Sequence, residues 1–107
     1  MEEDKFNIDE TTLSVDLSDA TQAVKENRFD DALRLLKVVL KENPDNIDGL
    51  YLAAVSTRYL KKFQESKEFI KSLLSKAPDM GRAYQELAHL NRDMGDEEKA
   101  VMHYRQA

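Results

Sequence analysis

Pro44-Asp45 returns 34 residues later as Pro78-Asp79. The same displacement aligns Ala20 with Ala54 and Ala88, Phe29 with Phe63, and Ala32 with Ser66 and Ala100. It also aligns Leu36 with Ile70 and Tyr104, and Val39 with Leu73 and Ala107. A fixed period of this length marks a stacked-repeat architecture, because one such unit cannot bury its own apolar face and needs neighbours to cover it.

Within each unit the apolar spacing is helical. Leu50, Ala53, Ala54 and Thr57 share one face, as do Tyr84, Leu87, Ala88 and Asn91. A second face follows in Ser66, Ile70 and Leu73, and in Ala100, Tyr104 and Ala107. Turn chemistry separates the two faces. Gly95 offers the left-handed conformation that ends a helix, and Asp96 the N-cap of the next one. Asn27 holds the place of Gly95 in the first unit, and asparagine tolerates that backbone region better than most residues. Glu97 and Glu98, like Asp30 and Asp31, favour the positive end of a helix dipole. Pro44 and Pro78 stop the second helix of a unit, since proline restricts the residue before it and cannot donate to the helical ladder. Pro-Asp thus closes one hairpin, and Asp or Asn caps the next helix. Ala20, Ala54 and Ala88, with Ala32, Ser66 and Ala100, are expected where two helices approach closely; a larger side chain there overpacks the contact.

A 34-residue helix–turn–helix unit with these positions resembles the tetratricopeptide repeat (TPR). Unit three matches best: Tyr84, Leu87, Ala88, Gly95, Ala100, Tyr104 and Ala107 stand where that pattern wants aromatic, Leu, small, Gly, Ala, aromatic and Ala. Unit two (47–80) keeps Leu50, Ala54, Phe63, Ile70 and Pro78, with Ala53 for Leu, Lys61 for Gly and Ser66 for Ala. Unit one (13–46) has Asp16 and Asp19 where large apolar residues belong, and shows Leu13, Leu17, Ala20 and Val24 as its stripe. The resemblance covers 13–107 and implies an all-α fold, a right-handed α-solenoid of antiparallel helix hairpins behind an acidic tail at 1–12. About three units are expected, the last (81–107) incomplete. Ala107 falls at the 27th place of its unit, so the expectation is a piece of a longer protein. The wording of units two and three also resembles repeats found ahead of sulfotransferase domains in some bacterial proteins.

Composition removes several functions. The chain has no cysteine, which excludes disulfides, thiolate chemistry and cysteine-based zinc sites together. Its net charge of −5 argues against nucleic acid or an anionic membrane as the main partner. No apolar run approaches the ~18 residues of a membrane span. The start, MEEDKFNIDE, is acidic where a secretory signal is basic and then apolar, so a cytoplasmic address is expected. The two histidines, His89 and His103, fall on different helices of one unit, and Glu86 three residues before His89 does not make a metal site. There is no Gly-rich phosphate loop and no nucleophile elbow. Phe29, Phe63, Tyr84 and Tyr104 recur at repeat positions and read as packing residues. The sequence predicts no catalytic residue, no metal and no cofactor.

In the family that the chain resembles, first helices line a groove that receives extended or helical partner segments. The groove-facing places carry onto this sequence as Asp48, Tyr51, Val55, Arg58 and Tyr59 in unit two, and Arg82, Gln85, His89, Arg92 and Asp93 in unit three; unit one adds Thr21 and Lys25. Tyrosine and arginine dominate binding hot spots, and arginine grips carboxylates with two bonds. The expected partner is therefore a protein or peptide segment, acidic or aromatic. The alternative is that these arginines pair with Asp48, Glu86 and Asp93 and leave a neutral wall. The clamp with which some family members hold chaperone tails maps to Leu17, Thr21, Leu52, Arg82 and Glu86; only Arg82 fits, which disfavours that activity. Two other readings stand beside the groove: self-association or spacing through the open Tyr104–Ala107 end or the acidic convex face, and a regulatory role for an enzyme whose catalytic domain follows residue 107.

Overall fold

The computed structural model describes residues 17–95. Within them the chain forms five α-helices and no strand: α1 (Leu17–Lys25), α2 (Phe29–Glu42), α3 (Ile47–Tyr59), α4 (Phe63–Lys76) and α5 (Gly81–Asp93). Helices α1 and α2 make the first hairpin, α3 and α4 the second, and α5 packs on the second. The 1–12 tail, Leu13, Asp16, Asp96, Glu97, Glu98, Ala100, His103, Tyr104 and Ala107 lie outside the described residues.

The turns repeat as faithfully as the helices. Asn27 (φ 61°), Lys61 (φ 64°) and Gly95 (φ 89°) occupy one repeat position, and all three are left-handed. The reversal that follows is closed by Arg28 N–H donating to the Ala23 carbonyl and Lys62 N–H to that of Thr57, each at 2.8 Å. These are the bonds that satisfy orphan carbonyls at a helix end. Lysine at the second turn is the costly variant, because its Cβ crowds the backbone in this region. The other junctions are set by proline. Asn43 and Ala77, which precede Pro44 and Pro78, adopt extended φ near −140° and terminate α2 and α4.

Capping is less regular than the sequence implies. The Asn46 side chain accepts from Gly49 N–H at 2.8 Å and so caps α3. Met80 begins α5 with no side-chain cap, and α2 and α4 begin after Arg28 and Lys62, also uncapped. Acidic residues in the first turns of α2 (Asp30, Asp31) and α4 (Glu65) face the dipole instead. At α5 the Tyr84 hydroxyl donates to the Pro78 carbonyl at 3.0 Å and ties the helix to its own turn.

The small residues are where the period places them: Ala20, Ala32, Ala54, Ser66 and Ala88 are all fully buried. They let helices approach closely enough for main chain to be read by side chain. Ser66 Oγ donates to the Ala54 carbonyl at 2.9 Å, across the second hairpin. The core then runs as three adjoining clusters. Ala20, Ala23, Ala32, Leu36 and Ala53 join the first hairpin to α3; Leu50, Leu73 and Ala83, and then Ala54, Ile70 and Leu90, join the second hairpin to α5. Helix α1 turns Leu17, Ala20 and Val24 inward as its stripe predicts, and adds Ala23.

Helix α5 departs from expectation. Of Tyr84, Leu87, Ala88 and Asn91 only Ala88 is buried; the deep positions are Ala83, Glu86, Ala88 and Leu90. The flank of α5 that carries Ala83 and Leu90 is the one that meets the preceding hairpin. No described helix is long and apolar enough to cross a membrane.

Candidate functional site

Helices α1, α3 and α5 neighbour one another, while α2 and α4 pack on the helices before and after them. The first helices of the hairpins therefore form a continuous wall, and the candidate groove residues fall along it. The structure gathers them into two groups.

The first group is Tyr51, Asp48 and Arg82. The Arg82 guanidinium lies over the Tyr51 ring, 4.7 Å from its centroid, and reaches Asp48 at 3.7 Å. The Arg82 and Asp48 side chains are both mostly exposed, so this pair holds loosely and adds little stability. Burial raises the Tyr51 hydroxyl above its usual range, and the Glu86 carboxylate adds to the rise.

The second group centres on Arg58, which is only 7% exposed. Its Nε donates to Glu86 Oε2, its Nη2 reaches Glu86 Oε1 at 3.5 Å, and its Nη1 donates to Asp93 Oδ2 at 2.8 Å. Arg92 approaches the other oxygen of Asp93 at 3.3 Å. The guanidinium thus bridges α3 to α5. Taking it out of water would lower its proton affinity, but the bonds to Glu86 and Asp93 outweigh that and raise it. Burial pushes the Glu86 carboxyl up, and the Arg58 contact opposes the rise. Burial likewise favours a neutral Asp93, but Arg58 and Arg92 together hold it below the usual carboxylate range. The Arg58 guanidinium also lies 4.6 Å from the Tyr59 centroid, and Tyr59 in turn stacks on Phe29 of α2 at 4.5 Å with the rings 4° from parallel.

Of the predicted groove residues, Tyr59, Arg82, Gln85 and Arg92 are exposed, Tyr51, Val55 and His89 are half-buried, and Arg58 is closed off. Thr21 and Lys25 lie on α1, half-buried and exposed. Each arginine of the wall has an acid beside it: Asp48, Glu86 or Asp93. The expectation that Arg58 offers its charge outward is corrected accordingly, because its donors are already committed and desolvated. The signal for this was present in the sequence. A shift of 34 carries Val24 onto Arg58 and Leu52 onto Glu86, so both charges stand at places where unit one and the start of unit two put apolar residues.

Among the described residues no group of three or more His, Cys, Asp or Glu is arranged to hold a metal ion. A scan against protein-family models finds no match, and a search of curated proteins finds none. Solved structures of MamA do match. With MamA of strain MSR-1 the identity is 26% and the TM-score 0.74, over 86% of this chain and 55% of that one. With MamA of strain AMB-1 they are 26% and 0.75, over 81% and 52%. With MamA of Desulfovibrio magneticus RS-1 they are 18% and 0.75, over 81% and 49%. The chain thus spans about half the length of each of these three structures. The match and the helix order together establish an all-α helical-repeat fold of the TPR type.

Proposed function

We propose that the chain is a non-catalytic protein-interaction module that receives a partner segment against the wall of α1, α3 and α5. One observation carries the reading: Tyr51, Arg82 and the exposed Tyr59 stand on neighbouring helices whose deeper residues are locked by fully buried small side chains. Aromatic and guanidinium groups held on a rigid frame lose little freedom on binding, which is what a hot spot needs. Because Asp48 holds Arg82 only loosely, a carboxylate on the partner can replace it at small cost and with two bonds rather than one. The segment is therefore one that sets an acidic residue beside an aromatic or apolar one. Tyr51, Val55, Tyr59, Gln85, His89 and Arg92 frame that contact, with Arg58 holding the frame from behind. A sulfotransferase domain beyond residue 107 draws no support from the matched structures, and the self-association reading rests on the acidic convex face or on Tyr104 and Ala107, the latter two outside the described residues.

The test is a random-peptide display selection against the 107-residue chain, followed by affinity measurements on the peptides recovered. Arg82→Glu and Tyr51→Ala are each expected to weaken binding by roughly tenfold or more, with an unchanged helical circular dichroism spectrum. Arg34→Glu, on α2, is expected to leave it unchanged. Peptides that bind both wall variants at wild-type affinity would remove the wall as the contact surface.

A further inference from the structure

In a stacked-repeat protein each unit ordinarily couples only to its neighbours, so the energetics reduce to a chain of nearest-neighbour terms. Here the second hairpin's contacts to both of its neighbours meet on consecutive residues at the end of α3, so the two nearest-neighbour terms share side chains. Tyr59 stacks on Phe29, which belongs to the first hairpin. Arg58, one residue earlier, is bonded to Glu86 and Asp93 of α5, and its guanidinium also rests over the Tyr59 ring. The last turn of α3 is thus gripped from the first hairpin by a ring and from α5 by two carboxylates. The two grips meet on one side chain.

We propose that Phe29, Tyr59, Arg58 and the Glu86–Asp93 carboxylates act as one ladder that couples the first hairpin energetically to α5. The physical basis is mutual orientation. The Tyr59 ring is aligned within 4° of Phe29, so displacing Phe29 frees the ring. A freed ring no longer constrains the guanidinium lying 4.6 Å from its centre, and that guanidinium sets the geometry of the bond to Asp93. Loosening the other end runs the same route in reverse. The ladder is a property of the fold and holds whether or not the wall binds a segment. Its consequence is that the two hairpins and α5 yield together rather than one at a time.

The test is a double-mutant cycle read by urea unfolding of the full chain. Truncating Arg58 is the wrong tool, because it strands Glu86 as an unpaired buried charge. Phe29→Leu removes the stacked ring but keeps an apolar side chain, Asp93→Asn keeps the carboxyl's shape without its charge, and each perturbs one end of the ladder. In the native background the double variant is expected to lose less midpoint than the two single losses combined, by about 0.3 M urea. Tyr59→Phe keeps the ring and should keep that shortfall, whereas Tyr59→Leu removes the ring and should make the two ends additive. Additivity in every background overturns the ladder. So does a shortfall that survives Tyr59→Leu, since the coupling would then travel by another route.

Discussion

At the first seam, between α1 and α3, Val24 and Leu52 pack against Ala20, Ala23 and Ala53. At the second seam, between α3 and α5, the residues 34 places further on are Arg58 and Glu86, a buried ion pair. Asp93, which completes that network, stands where the first seam has Tyr59. The backbone frame around the two seams is alike: Ala20, Ala54 and Ala88 are each fully buried at the matching place. The period therefore fixes which positions are deep, and the chemistry that fills them is free to change. An apolar pair needs only volume. An ion pair must also recover the hydration that it gives up, through a geometry good enough to satisfy both charges.

The difference gives the largest prediction. Glu86→Leu alone strands Arg58 beside a single remaining partner and is expected to cost about 3–5 kcal/mol in urea unfolding. Adding Arg58→Val rebuilds the first seam's pairing at the second, and the double variant should return to within about 1 kcal/mol of the parent or exceed it. A double variant as unstable as the single one would show that the seams are not interchangeable. Their likeness would then stop at the backbone.

How much of this was legible in the sequence follows from the same contrast. The small residues announce themselves, because alanine or serine at a recurrent place has one packing reason, and each described one is buried. The left-handed turn was legible at Asn27 and Gly95, whose side chains permit it. At Lys61 it showed only through the repeat, since lysine carries no preference for that conformation. The ion pair was legible only in part. Glu86 and Asp93 could be named as partners for the wall's arginines, but the helical spacing within one unit does not say which arginine is deep; only the comparison between units does. Charge pulled the reading outward, although the alignment with Val24 and Leu52 placed Arg58 and Glu86 inside. The stack of Phe29 on Tyr59 lay beyond the sequence, because the two belong to different hairpins and pair by neither period nor charge.

The turns extend the comparison at smaller scale. Asn27 and Lys61 hold the same left-handed geometry with unequal ease. Lys61→Gly relieves the Cβ strain but adds freedom to the unfolded chain, so a net gain of about 0.5–1 kcal/mol is expected. Asn27→Gly should gain less, because asparagine already visits this region. Equal gains at both turns would mean that the presence of a Cβ, not the identity of the side chain beyond it, sets the cost.

The last contrast is in response to acid. The places that line the first seam and its wall read Thr21, Val24, Leu52 and Val55, none of which titrates; their counterparts at the second include His89. Burial lowers the affinity of His89 for a proton below its ordinary value of 6.5, and the Arg58 and Arg92 charges lower it further, against a smaller pull from Asp93. The sign follows from proton counting. Between the depressed folded value and 6.5 the unfolded chain binds more protons than the folded one, so stability rises with pH through that window and falls as acid is added. The urea midpoint should therefore be lower at pH 5.5 than at pH 7, above the range where ordinary carboxylates begin to protonate. His89→Gln should flatten that difference. In Arg58→Val with Glu86→Leu the part of the slope that His89→Gln removes should be smaller but not zero, because burial, the larger cause, remains when the Arg58 charge is gone. A slope of the same sign that persists in His89→Gln would place the acid response at another group, since the Glu86 carboxyl, raised by burial, contributes with the opposite sign.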